Sequence, residues 1–318
     1  MIILGIYEGH NSNAALIKDG RILRAVEEER FSRIKNHDGR VNKGPINAIS
    51  YCIEEAGNID LVAIALEEPS LLSFNSYKSF LMDLDNESRG KRGLFLVNNN
   101  PRVVDRNKHI TPALLPAYPG ISQQVRIENI KSILIELGLE EVPIKLVNHH
   151  IAHNASSYFT SGKFKGLCLS MDGKGDDVSA MVCLANNGKI KELSRINYIE
   201  SMGHFYSAIT VALGFKAVRH EGKITGLAAY GKAPKKLLTK FRSLFNFTSD
   251  GQIKSRLPDN LIIGPYPHTD FSVYIEKIRE MIQGHCREDV ACCAQKVLEE
   301  NIINWVKYWI EKTGMNNI

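Results

Sequence analysis

No apolar run in this 318-residue chain approaches the roughly 20 consecutive apolar residues that a membrane span needs. The N-terminal MIILGIYEG breaks at Gly5 and has no basic leader, so it does not read as a signal peptide. Dense Lys/Arg tracts are missing too. The net charge of +5 is diffuse, which removes the electrostatic footprint of a nucleic-acid binder. The six cysteines (Cys52, Cys168, Cys183, Cys286, Cys292, Cys293) form no CxxC pair, and several sit inside apolar runs; they read as buried, reduced thiols of a cytoplasmic protein. HExxH is also absent: no Glu follows His149 or His150, so the general base of a zinc protease is lacking.

What is present is an ordinary globular composition, 44% hydrophobic and 24% charged, in a chain long enough for two domains or one large duplicated one. The first thirty residues read as strand (Ile2–Ile6), a turn at Glu8-Gly9-His10-Asn11, strand (Ala14–Ile17), Asp19-Gly20, and a third strand (Ile22–Val26). From Gly166 the same grammar returns: Leu167–Met171, a Gly-rich turn over 172–176, Val178–Leu184, Asn187-Gly188, and Lys189–Ile196. Asp-Gly and Asn-Gly suit type I′ hairpin turns, and two such meanders, each opening one half of the chain, suggest a duplication. The implied halves are 1–165, with an irregular Asn/Pro/Ser/Arg-rich insertion at about 69–120, and 166–318. Helices are predicted over 44–57, 122–138, Gly203–Gly214 and 290–311, and short buried strands over Asp60–Leu66 and Val142–Val147. The last helix carries a stripe of Val290, Ala294, Val297, Ile302, Trp305 and Trp309 that needs a partner surface, and left uncovered it would promote association.

The segment NHHIAHNASSYF (148–159) sets His149 and His153 four residues apart, on one face if the segment is helical. Asp172 follows at the mouth of the Gly166–Met171 strand. Two imidazoles and a carboxylate suit a divalent metal such as Fe(II), Zn or Mn; a chance HxxxH spacing is the competing reading. His150, about 100° further round the helix, is placed to orient a ligand or to meet substrate. The turns at Gly9 and at Gly173, Lys174 and Gly175 offer backbone N–H groups to phosphate oxygens. His10, at the first turn, is a candidate general base or an exposed loop histidine. In HEGKITGLAAYGK, Gly222, Gly226 and Gly231 with Lys223 would bring backbone and charge to a nucleotide, or would pack a helix closely on the sheet. Arg30 and Arg33 lie in the charged run EEERFSRIK, a solvated edge by default and otherwise an anion contact.

Five ordered stretches, GHNSNAALIKDGRILRAVEEERFSRIKNH, NHHIAHNASSYF, LSMDGKGD, SMGHFYSAITVALGF and GKITGLAAYGK, together resemble the carbamoyltransferase family of NodU, TobZ and CmcH type. The resemblance implies an α/β, duplicated actin-like (ASKHA, ribonuclease H-like) fold. It implies transfer of a carbamoyl group to the hydroxyl of a small-molecule or sugar acceptor. The donor would be carbamoyl adenylate, made from carbamoyl phosphate and ATP, and the site would hold a metal, Fe(II) foremost. By this resemblance His149, His153 and Asp172 match metal ligands, and His10 matches a candidate base. Gly173–Gly175 and Gly222–Gly231 match segments that touch the adenylate. The family's further Asp ligand, a following Gly-rich strand and a C-terminal YrdC-like domain have no counterpart in these 318 residues. The expectation is therefore a truncated second half that depends on a missing C-terminal portion. An actin-like ATPase or sugar kinase, or a non-catalytic nucleotide-binding fragment, are the rival readings.

Overall fold

The computed structural model describes residues 1–40, 42–54, 56–66, 119–176, 178–256 and 272–318. The expected insertion at about 69–120 lies almost wholly outside the described residues. Two compact units emerge, Met1–His149 and His150–Ile318.

In the first unit, β1 (Ile2–Tyr7), β2 (Asn13–Lys18) and β3 (Arg21–Glu27) form the antiparallel meander. Asp19 and Gly20 have φ of 49° and 79°, and Lys18 pairs with Arg21, so the two-residue turn is of the primed kind that the Asp-Gly pair predicts. After α1 (Glu29–Ser32) and α2 (Ile46–Ile53), β4 (Leu61–Ala65) lies parallel to β1. Then α3 (Pro119–Glu136) leads to β5 (Ile144–Val147), parallel to β4. The order β3-β2-β1-β4-β5 is that of one half of an actin-like fold. Alternate strand residues (Leu4, Ile6, Ala14, Leu16, Val62, Ile64) are buried with Ile49 and Cys52 of α2 and Ile130 and Leu134 of α3, the period-2 and period-3.6 patterns meeting in one core.

The helix predicted over 44–57 is shorter at both ends. Gly44 takes φ +62°, where a Cβ would strike the Ile133 side chain, so the helix begins beyond it. Its N-terminus is satisfied from outside: the buried Glu28 carboxylate accepts from Ala48 N at 2.8 Å and Asn47 Nδ2 at 2.6 Å.

The second unit opens with α4 (His149–Thr160), whose first residue falls at the division between units. The repeat of the meander follows: β6 (Lys165–Gly175), β7 (Val178–Asn186) and β8 (Lys189–Asn197), with Asn187 and Gly188 at φ 47° and 78°. Tyr158 of α4 packs with Cys168, Val178, Met181 and Cys183 of the sheet, while its hydroxyl donates to Phe164 O and accepts from Gly188 N, both at 2.9 Å. That fastens α4 to the sheet.

Helices α5 (Met202–Ala212), α6 (Glu221–Ala228) and α7 (Lys235–Arg242), the short pair β9 (Phe245–Phe247) and β10 (Ile253–Ser255), then α8 (Ser272–Ile282) and α9 (Arg287–Thr313) complete the unit. The α9 stripe is not left for association. Val290, Ala294, Val297, Trp305 and Trp309 are buried in a core shared with Phe205, Ile224, Leu237, Phe241 and Tyr274, so the partner surface is supplied within the unit. One cysteine departs from expectation: Cys286, immediately before α9, is exposed, whereas the other five are buried and all six are free.

Candidate metal centre

The i, i+4 spacing carries directly into geometry. His149 and His153 lie one turn apart on α4, and each of His149, His153 and Asp172 offers a ligand atom within 4.8 Å of the other two. His153 Nε2 is 3.9 Å from Asp172 Oδ2. His149 and Asp172 are half-buried and His153 is exposed, so the group opens to solvent. Ligand atoms around one ion, each about 2.0–2.2 Å from it, lie somewhat closer together than this, so small side-chain rotations close the site. The donor set is two imidazoles and one carboxylate, which fits a divalent transition metal and leaves coordination positions for substrate.

His150 plays the opposite part. It is fully buried; its Nε2 donates to the Val178 carbonyl at 3.0 Å and its Nδ1 accepts from the Ser170 hydroxyl at 2.9 Å. Because a carbonyl only accepts, the imidazole proton is placed on Nε2. This side chain ties the first turn of α4 to β6 and β7 and does not present itself to substrate. Asn154, also buried, adds a second tie through Nδ2 to Cys183 Sγ at 3.2 Å.

The Gly-rich turn predicted over 172–176 is reshaped. β6 continues through Gly175, which pairs with Val178, so the reversal is confined to a tight turn after Gly175, with Asp176 at φ 52°. Between Met171 and Gly175 the register to β7 shifts, leaving Asp172–Lys174 as a bulged excursion. Gly173 N does not face outward for a phosphate, since it donates to Asp172 Oδ1 at 2.6 Å. The Lys174 ammonium sits 4.1 Å from the centre of the Tyr198 ring.

The first unit gathers its candidates around Tyr7. The Tyr7 ring meets that of His10 edge-on at 6.3 Å and that of His149 at 5.7 Å. Gly9 lies directly beneath the same phenol, where a Cβ would collide with it. His10 forms an isolated bridge with Asp38. Burial pushes the Asp38 carboxyl up, but Arg40, bonding Oδ1 at 2.8 Å and Oδ2 at 2.6 Å, outweighs it and holds the group below the ordinary carboxylate range. Beside Gly9, the buried Glu8 is ion-paired to Arg126. Sequence reasoning missed Tyr7, Glu8 and Arg126: the ion pair joins residues 118 apart, and only a carboxylate beside a Gly-His turn hints at it.

The remaining candidates sit in unlike surroundings. Gly231 is pressed against the Glu288 carbonyl at the start of α9, where no side chain fits, while Gly222 and Gly226 have no atom within 4 Å of a Cβ position. Lys223 and Arg287 lie 5.5 Å and 4.4 Å from the Phe215 ring centre. Arg30 pairs with Glu27 and Glu29, and Arg33 is the left-handed residue closing α1, so that run is a solvated edge. His204, on α5 and unremarked in the sequence, is buried beside Gly173; burial, aided by the Lys174 charge and opposed by Asp172, pushes its pKa down to about 4.

Residues 2–318 match the family described as Carbamoyltransferase N-terminus. An uncharacterized protein of Synechocystis sp., sll1178, is 31% identical over 97% of this chain and 48% of its own length. The nodulation protein NolNO of Sinorhizobium fredii is 26% identical over 97% of this chain and 40% of its own. The nodulation protein NolO of Bradyrhizobium diazoefficiens is 27% identical over 54% of this chain and 30% of its own. The chain thus spans less than half the length of these relatives. No helix among the described residues is long and apolar enough to cross a membrane.

Proposed function

Because the chain belongs to the carbamoyltransferase N-terminus family, we propose that it forms the transfer site of an O-carbamoyltransferase, where a carbamoyl group passes to an acceptor hydroxyl. The observation that carries this reading is the convergence of His149, His153 and Asp172 to within 4.8 Å, open to solvent on one side. These three residues would hold a divalent metal, with Fe(II) first and Zn or Mn as alternatives, given their nitrogen and carboxylate donors. When bound, the metal supplies Lewis acidity toward the carbamoyl or phosphate oxygen of the donor.

The protein's own groups do the rest. His150 keeps the His149–His153 face of α4 at a fixed height over the sheet through its two hydrogen bonds. His10, joined to His149 through the Tyr7 ring, takes the proton from the attacking hydroxyl. Backbone N–H groups near Gly175, with the charge of Lys174, hold the phosphate of the leaving AMP. In this reading the donor is carbamoyl adenylate, formed from carbamoyl phosphate and ATP by a YrdC-like domain. The acceptor is a sugar or another small hydroxyl compound.

Anaerobic purification followed by elemental analysis tests the centre. The native chain is expected to retain transition metal, and His149→Ala or His153→Ala to lose it together with transfer from supplied carbamoyl adenylate. Metal content unchanged in both variants sinks the assignment.

A further inference from the structure

Asp172 sits where the sheet gives it least support. The β6–β7 ladder runs unbroken from Lys165↔Asn186 to Met171↔Ala180 and resumes only at Gly175↔Val178. What fixes the intervening excursion is the first turn of α5. Ser201, buried at its N-cap, accepts from His204 N at 3.1 Å, and its hydroxyl donates to the Asp172 carbonyl, also at 3.1 Å. Gly203, the second residue of the same helix, lies against the Asp172–Gly173 peptide. A Cβ there would stand 2.8 Å from Gly173 Cα and N and 3.0 Å from Asp172 C, closer than such atoms approach. Backbone lies on both sides of this contact, so the strain cannot be relieved by turning a side chain.

The consequence reaches the carboxylate. Asp172 Oδ1 accepts from Gly173 N at 2.6 Å, which orients the group and leaves Oδ2 toward His153 Nε2. Shifting the Gly173 peptide therefore turns the carboxylate, and metal sites tolerate only about 0.2 Å in ligand distance. We propose that Ser201 and Gly203 are positioning residues for Asp172, setting the angle at which its carboxylate meets the two histidines. This rests on the reading of His149, His153 and Asp172 as metal ligands.

The test titrates Co(II) into the metal-free 318-residue chain and into Ser201→Ala, Ser201→Thr, Gly203→Ala and Asp172→Ala. It records Kd, the visible d–d spectrum, and the urea midpoint of each metal-free form. Partners that orient a ligand are typically worth 10–100-fold in affinity, so Ser201→Ala is expected to weaken Co(II) about tenfold and Gly203→Ala about 100-fold. The d–d band should shift in both variants, and Ser201→Thr, which keeps the hydroxyl, should restore native binding. A purely structural Ser201 would lower the urea midpoint and leave the spectrum alone. If Asp172→Ala loses Co(II) while Ser201→Ala and Gly203→Ala bind it like the native chain, the positioning role is overturned and the metal reading stands. If the native chain binds no Co(II), both fall. Should Gly203→Ala fail to fold, the Ser201 pair decides.

Discussion

His149 and His150 are chain neighbours with opposite surroundings, and substituting them should separate metal binding from stability. His150→Leu keeps the volume but strands the buried Val178 carbonyl and removes the acceptor of the Ser170 hydroxyl. A buried polar group left without a partner costs about 1–3 kcal/mol, and Ser170, which is half-buried, belongs at the lower end. The expected loss is about 3 kcal/mol. For a unit the size of His150–Ile318 this lowers Tm by about 6–12 °C. His149→Ala removes a half-buried ring that meets Tyr7, a contact worth about 0.5–1.5 kcal/mol. The comparison is made on EDTA-treated protein by thermal and urea denaturation, so that bound metal does not contribute to stability, and metal content is then measured after reloading. The expected pattern is a stable, metal-free His149→Ala and an unstable His150→Leu. A His150→Leu melting within about 2 °C of the native apo chain, or a His149→Ala falling equally far, refutes the division of labour.

Three further outcomes are expected. Gly231→Ala should lower stability by about 1–3 kcal/mol through collision with the Glu288 backbone, whereas Gly222→Ala and Gly226→Ala, in open helical positions, should be neutral or gain up to about 1 kcal/mol; equal urea midpoints across the three would contradict the packing. His204, with a folded pKa of about 4 against an ordinary 6.5, favours the folded state fully above pH 6.5 and loses that contribution as pH falls toward 4. The apo chain should therefore weaken by about 3 kcal/mol across that window, and His204→Phe should flatten the profile; an unchanged slope would remove His204 as the cause. A thiol-specific alkylating reagent followed by mass measurement should add rapidly to one site, Cys286, since burial raises the Cys52, Cys168, Cys183 and Cys293 thiols; fast modification of several sites would argue against this burial.

How legible the fold was depended on range. The Asp19-Gly20 and Asn187-Gly188 turns were readable because a two-residue primed turn is decided by its own residues. The α9 stripe was equally plain, but not that Phe205, Phe241 and Tyr274 would cover it, since periodicity shows which face is buried and not against what. At the centre, His149 and His153 were visible because helical spacing is local. The bulge at Asp172–Lys174 was not, because register is set by the partner strand, and the tight turn moved to Asp176 accordingly. Ser201 and Gly203 were concealed for another reason: a serine before a helix signals a cap, and nothing in the string says that the same hydroxyl reaches a carbonyl 29 residues earlier.

The placement of all three proposed ligands between residues 149 and 172 bears on how the centre would assemble. Closing a chain segment costs entropy that grows only with the logarithm of its length, and both separations here are short. The histidines come into register as soon as one helical turn forms, and the carboxylate joins once that helix settles on the adjacent strand. By contrast, the Glu8–Arg126 pair must wait for a loop of more than a hundred residues to close. The proposed metal-binding residues thus form a low-contact-order part of the molecule, expected to be in place early in folding, before the longer-range contacts are made.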